Sequence, residues 1–204
     1  MIDRTSLPTL LLQGAVFALL VESARRRNVA ATVNALGAFV LTLLPWLAEI
    51  WSRTALARAV TVGPELPLWL AVAGMLHSLG MLGLYESVWW WDHLTHTVSA
   101  ALVAALVYAW GLVALQGATG GAPPSAPVLA VTMGSTFAVG VVWELIEQVA
   151  RAVGERYDVE PVLVYYGWQD TAADLGFDVA GALLVLGLDL RTFVPLVEQL
   201  QYAM

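Results

Sequence analysis

The sequence predicts an all-α integral membrane bundle of six transmembrane helices in a single domain, residues 1–204, and three observations carry that prediction. Hydrophobic residues make up 59% of the chain and charged residues 12%, with a mean hydropathy of +0.75, more apolar surface than a water-soluble domain of this length can hide. Apolar stretches of about 20 residues recur along the chain, the length that crosses a hydrocarbon core about 30 Å thick at 1.5 Å per residue. Aromatic residues and arginines gather at their ends, where a membrane interface lies.

The first helix is expected at about 5–21, ahead of Glu22 and Arg25-Arg26-Arg27. A signal peptide is the rival reading, but no small-x-small cleavage site precedes the arginines, so we read it as an anchor. The second covers about 29–50, with Pro45 near its end and Trp46 and Trp51 as interfacial aromatics. A polar connection with Arg53 and Arg58 closes in Gly63-Pro64 and Pro67. The third runs over about 68–85 and carries His77. Glu86 and Trp89-Trp90-Trp91 lead into the fourth, about 92–115, which begins Asp92-His93-Leu94-Thr95-His96. After an uncharged Gly/Pro-rich connector, 116–127, the fifth spans about 128–150 and carries Trp143-Glu144-Leu145-Ile146-Glu147. An amphipathic loop, 151–169, precedes the sixth, about 170–190, and the tail 191–204 is short, mixed and interfacial.

Composition removes several functions. The chain has no cysteine, hence neither disulfides nor thiolate metal sites. All nine basic residues are arginine, which excludes a retinal Schiff base, a lysine nucleophile and a lysine phosphate clamp. No basic patch points to nucleic acid.

The ionisable residues crowd into the last four helices, at the C-terminal ends of the third and fifth and the N-terminal ends of the fourth and sixth. Consecutive spans reverse direction, so all four locations fall on one side of the membrane. His77, Asp92, His96, Glu144, Glu147, Asp170, Asp174 and Asp178 are therefore expected to meet in one cluster. Asp92 and His96 are spaced i, i+4, Glu144 and Glu147 i, i+3, and the three aspartates i, i+4, i+8, so each helix presents its groups on one face. Asp178 lies roughly 12 Å further along the axis than Asp170, which carries the acidic stripe toward the middle of the bilayer. A charged residue there costs about 2.5 to 3.5 kcal/mol by insertion scales, and such residues are functional candidates.

No arginine lies inside a span, so the counter-charge must come from bound cations, from protons, or from Arg151 and Arg156 reaching in from the loop. Imidazole mixed with carboxylates suits a divalent metal such as zinc, iron or manganese, and carboxylates alone suit magnesium. The expected ligands are His77, Asp92, His96, Glu144 and Asp174, with Glu147 and Asp178 as candidate catalytic bases. Each group also has a structural explanation. His77 suits a hydrogen-bonded core histidine, and Asp92 and Asp170 suit helix N-termini, where a carboxylate is favoured without function. His93, about 100° around the helix from Asp92, is the alternative inward histidine. The tryptophans fit an interfacial belt, and Gly80, Gly83, Gly176 and Gly181 fit close helix packing.

The order of these motifs is similar to a known pattern. His77-Ser78-Leu79-Gly80 with Tyr85, Asp92-x3-His96, Trp143-Glu144-Leu145-Ile146-Glu147, Tyr165 with Gly167, and Asp174-Leu175-Gly176-Phe177-Asp178 ahead of Gly181-Ala182 resemble the YjdF-like family of small inner-membrane proteins, and more distantly the VanZ-like family associated with glycopeptide resistance. The resemblance covers roughly residues 75 to 185. It implies a recurring polar pattern at these histidine, aspartate and glutamate positions, and it lends architecture rather than a reaction. The spacing ahead of Asp174 departs from that pattern, which leaves Asp170 without an equivalent position.

The expected function is that of a multi-pass cell-membrane protein whose His/Asp/Glu cluster binds divalent metal and hydrolyses a lipid-linked ester or phosphoester, with membrane lipids as its partners. The alternatives are a proton or cation transporter, or a non-catalytic membrane partner protein with a buried polar network. Loops on the cluster's side carry Arg25, Arg26, Arg27, Arg151 and Arg156, and the opposite side carries Arg4, Arg53, Arg58 and Arg191, which places the cluster on the cytoplasmic side.

Overall fold

The computed structural model describes residues 7–55, 59–117, 121–158, 161–163 and 166–203. Arg4, Arg58, Tyr165 and the expected start of the first helix at residue 5 lie outside the described residues.

Among the described residues the structure is helical, without strands. Its helices are α1 (Leu7–Arg25), α2 (Val29–Ala55), α3 (Glu65–Ser87), α4 (Trp91–Gln116), α5 (Ala126–Tyr157), α6 (Trp168–Gly187) and α7 (Val194–Ala203). The first five are long and apolar enough to cross a membrane. Against the six spans expected, length and composition thus mark five: α6 forms where expected, but Asp170, Asp174 and Asp178 in its first three turns keep it from scoring as a span. Two other expectations change. The loop after the fifth helix begins seven residues later, because α5 continues as an amphipathic helix to Tyr157, and the tail folds into α7.

The helix at the centre is α4. Over half of its apolar stretch is buried, against 22–33% for the other four spans, because a run of alanines lets neighbours approach from several sides. α5 and α6 pack on it, α7 folds back beside it, and α1, α2 and α3 form a second group that meets it through α3. Small residues set the seams. A Cβ on Gly181 of α6 would lie 2.5 Å from the Thr97 carbonyl oxygen and 2.9 Å from the Ala101 nitrogen of α4, and one on Gly74 of α3 would lie 2.9 Å from the Ala38 Cβ of α2. Of the other glycines singled out, Gly176 faces open space.

The loops confirm the alternation of direction. On one side the Asn34 amide near the start of α2 donates to the Val162 carbonyl after α5. On the other, the Gln199 side chain of α7 accepts from the Thr61 amide at 2.9 Å, and Arg191 donates to the Ala122 carbonyl at 2.5 Å. Near this second side, Tyr108 of α4 donates to Asp189 at 2.5 Å, and Arg191 also donates to Asp189 at 2.9 Å. The Arg191 guanidinium, with help from the Tyr108 hydroxyl, holds the Asp189 carboxyl below the usual carboxylate range.

Helix α2 runs on to Ala55 through Pro45, which cannot donate to the turn before it. The Gln13 side chain of α1 donates to the Thr42 carbonyl in that turn at 2.9 Å, a buried bond that ties α1 to α2.

Helix α3 is not regular. Between Gly80 and Leu84 it widens into a π-turn, and Gly83 leaves helical geometry at φ +121°. In a straight helix Tyr85 would sit roughly 12 Å beyond His77 along the axis. The break folds it back, its ring lying against Gly80 where a Cβ would overlap it, and its hydroxyl reaches His77 Nδ1 at 2.7 Å. A side chain at Gly83 meets no neighbour but cannot adopt this φ without strain of about 1–3 kcal/mol. Gly83→Val is expected to lower the midpoint of thermal unfolding by roughly 2 to 10 °C, measured in detergent.

Candidate functional site

The site is built where the N-terminal ends of α4 and α6 meet the C-terminal half of α5. At its centre is His96, 8% exposed. Its Nδ1 lies 3.2 Å from Asp178 Oδ1, and a carboxylate there can only accept, so Nδ1 donates to it. Nε2 faces two more carboxylates, Asp92 Oδ1 at 3.9 Å and Glu144 Oε1 at 4.0 Å. Both separations are too long for hydrogen bonds. They match two donors on one ion, since ligands each about 2.0–2.2 Å from a zinc-sized cation stand no more than about 4.4 Å apart.

Asp174 completes the group. Asp92, His96 and Asp174 each offer one ligand atom, and these atoms lie within 4.8 Å of one another. Asp174 and Glu144 are 1% and 3% exposed, and Glu144 Oε1, the atom that faces His96, has no hydrogen-bond partner. Asp178 Oδ2 is likewise buried and unpartnered, and it rests against Gly140 of α5, where any Cβ would collide with it. A buried polar group without a partner normally costs on the order of 1–3 kcal/mol, which makes these two carboxylate oxygens beside an imidazole a candidate site.

The remaining residues take other positions. His77 lies outside the group: Tyr85 donates to its Nδ1, and its Nε2 donates to Asn34 Oδ1 at 2.9 Å, so both ring nitrogens are engaged. Glu147 accepts from the Trp143 indole at 2.8 Å. Asp170 sits half-buried in the first turn of α6, where the helix dipole favours a carboxylate. His93, the alternative inward histidine, is also drawn in. Its Nδ1 lies 3.2 Å from Asp174 Oδ1, and its ring stacks on Phe177 at 4.3 Å with an 11° tilt, which fixes the Asp174 carboxylate from behind. Sequence spacing set His93 against His96, but the two lie on adjoining faces of α4 and each meets a different aspartate of α6.

Asn34 was not legible as a site residue. Its signal was a lone carboxamide in an apolar span, a group that requires partners there. Of the tryptophans, Trp89 and Trp90 are exposed at the end of the bundle as a belt predicts, whereas the Trp91 indole donates to the Leu76 carbonyl at 2.9 Å and fastens α4 to α3.

These groups open onto a cavity of about 490 Å³ between α2, α3, α4 and α5. Asp92, His96, Asp178, Glu147 and His77 line its polar end, with Tyr85, Trp143 and Tyr166 beside them, and the remainder is walled mostly by residues such as Leu41, Leu70, Leu102 and Val139. Partial burial, with the negative field of Glu86, Asp92, Asp170 and Glu147, raises the Tyr166 hydroxyl above its ordinary pKa, so the rim is acidic. Among the described residues the arginine ion pairs form elsewhere, Arg26 with Glu22, Arg53 with Glu49, Arg151 with Glu155 and Arg191 with Asp189.

The apolar outer faces of α1, α2 and α5 and the five long apolar helices make this a multi-pass membrane protein. No curated protein and no solved structure matches the chain. The model of one family, described as "Predicted membrane protein (DUF2238)", matches residues 7–193, nearly the whole bundle, and the chain belongs to that family.

Proposed function

We propose that the protein holds a divalent cation between Asp92, His96, Glu144 and Asp174 and hydrolyses a lipid-linked ester or phosphoester at the polar end of the cavity. The observation that carries this reading is the unpartnered Glu144 Oε1, buried and 4.0 Å from His96 Nε2, which itself lies 3.9 Å from Asp92. An imidazole with carboxylates suits zinc, iron or manganese better than magnesium. A cation held there lowers the pKa of water toward 7 and stabilises developing negative charge. Asp178 positions His96, and His93 positions Asp174. Glu147, held by Trp143 at the cavity wall, takes the proton of the attacking water as the new C–O or P–O bond forms. The old ester bond breaks, and the alcohol leaves with that proton. In this reading α6 crosses beside α4 with its aspartates facing inward. The order of motifs shared with YjdF-like and VanZ-like proteins supports the same residue set.

Transport is less well supported. Between Asp178 at one end of the α4–α6 seam and the Tyr108–Asp189 pair at the other, Ala104, Ala105, Ala182 and Val185 are packed without exposure. A proton or ion path would need polar groups within that seal.

The test is elemental analysis of protein purified without chelator, together with release of headgroup or acyl chain from a mixed bilayer-lipid extract. The expected result is at least one divalent metal per chain and a hydrolytic activity that Asp174→Asn and Glu144→Gln each lower by about a hundredfold or more. Protein free of metal, or full activity in both variants, rejects the proposal.

A further inference from the structure

The cavity carries information beyond the cation. Helices α2 and α5 both line it, yet they are not among the closely packed helix pairs. On its two lips Leu41 and Val139 remain about half exposed, so the opening faces sideways, toward lipid. At 490 Å³ it falls within the range of small-molecule sites, about 300–1,000 Å³. Among the described residues its polar end is lined by the carboxylates of Asp92, Glu147 and Asp178 and the imidazoles of His77 and His96. Even with a dication held by Asp92, Glu144 and Asp174, the carboxylates of Glu147 and Asp178 in the lining and of Glu86 and Asp170 near Tyr166 remain. Asp178, 4% exposed, lines the cavity with Oδ2 unpartnered. Beside these acids stand the rings of Tyr85, Trp143 and Tyr166, and aromatic faces with carboxylates are the surroundings that bind ammonium groups.

We propose that the cavity binds a lipid whose headgroup ends in an ammonium, the acyl chain entering between α2 and α5 and the ammonium seated between Glu147 and the rings of Trp143, Tyr85 and Tyr166. This names the substrate class of the proposed hydrolysis and rests on that reading for its chemistry, while the binding stands on the cavity. A headgroup with negative charge alone meets the acidic rim without an offsetting cation of its own.

The probe is native mass spectrometry of the detergent-purified protein, before and after EDTA, with phosphatidylethanolamine or phosphatidylglycerol of identical acyl chains. The ethanolamine lipid is expected to bind about fivefold or more in preference, with and without EDTA. Glu147→Gln, and independently Tyr166→Leu in the connection between α5 and α6, are expected to bring that preference below about twofold. Gly37 lines the cavity, and the first atom of a side chain there meets no neighbour, so Gly37→Trp places an indole at the mouth and should weaken both lipids. Equal binding of the two lipids, a preference unchanged in both headgroup variants, or full binding by Gly37→Trp overturns the inference. Absence of metal or hydrolysis with the preference intact removes the hydrolase reading alone. Loss of the preference with metal and hydrolysis intact removes this one alone.

Discussion

His96→Ala is expected to empty the site: bound divalent metal falls below about a tenth of an ion per chain, and lipid hydrolysis falls at least about a hundredfold. The size of the effect follows from the position of the ring. His96 stands between the carboxylates, with Nδ1 on Asp178 and Nε2 facing Asp92 and Glu144. Without it the carboxylates of three helices face one another with no imidazole between them. Asp178→Asn should behave differently. The amide keeps the shape beside Gly140, but its oxygen is an uncharged, weaker acceptor and its N–H can turn toward the ring instead, so the bond that orients His96 is weakened. Metal affinity is expected to fall by about 10- to 100-fold rather than vanish, measured by titration against a competing chelator. Equal, complete loss in both variants would show that Asp178 is itself a ligand.

Gly181→Leu is expected to cause the largest loss of stability. The seam between α4 and α6 is closed by backbone: the first atom of any side chain at 181 meets the Thr97 carbonyl oxygen and the Ala101 nitrogen, neither of which can rotate away. Overpacking typically costs about 1–3 kcal/mol where side chains yield, and more where they do not. For a chain of 204 residues this corresponds to a fall in melting temperature of about 3 to 10 °C or more. Because Asp174 and Asp178 reach His93 and His96 across the same seam, metal binding should weaken with it. Gly176→Leu, whose Cβ meets nothing, is the control and should melt with the wild type. A Gly181 variant that melts with the wild type would mean that α4 and α6 are not packed as described.

How much of this was legible in the sequence depends on the range of the interaction. Helix positions were, because lipid requires long apolar stretches and α4, α5 and α6 begin within two residues of where hydropathy places them. The convergence of Asp92, His96, Glu144, Asp174 and Asp178 was legible too, since it needs only alternating direction and helical spacing. The break in α3 was not. It depends on Gly83 adopting φ +121°, and glycines within a span suggest packing at least as readily. The pairing of His77 with Tyr85 and Asn34 follows from that break, so its place outside the metal group was hidden with it. The span count fell short because hydropathy counts the acids of α6 without knowing which way they face. The extension of α5 to Tyr157 was missed because an amphipathic segment looks alike as an interfacial loop and as a helix leaving the membrane.

The central claim is that one imidazole, His96, and carboxylates from three helices hold one cation. X-ray absorption at the edge of the metal retained by chelator-free protein tests it directly. The predicted spectrum has nitrogen and oxygen ligands at about 2.0–2.2 Å with the scattering of a single imidazole, unchanged in His77→Ala and His93→Ala and stripped of that imidazole in His96→Ala. A spectrum without imidazole, one with two or three, or one that His96→Ala leaves intact would contradict it.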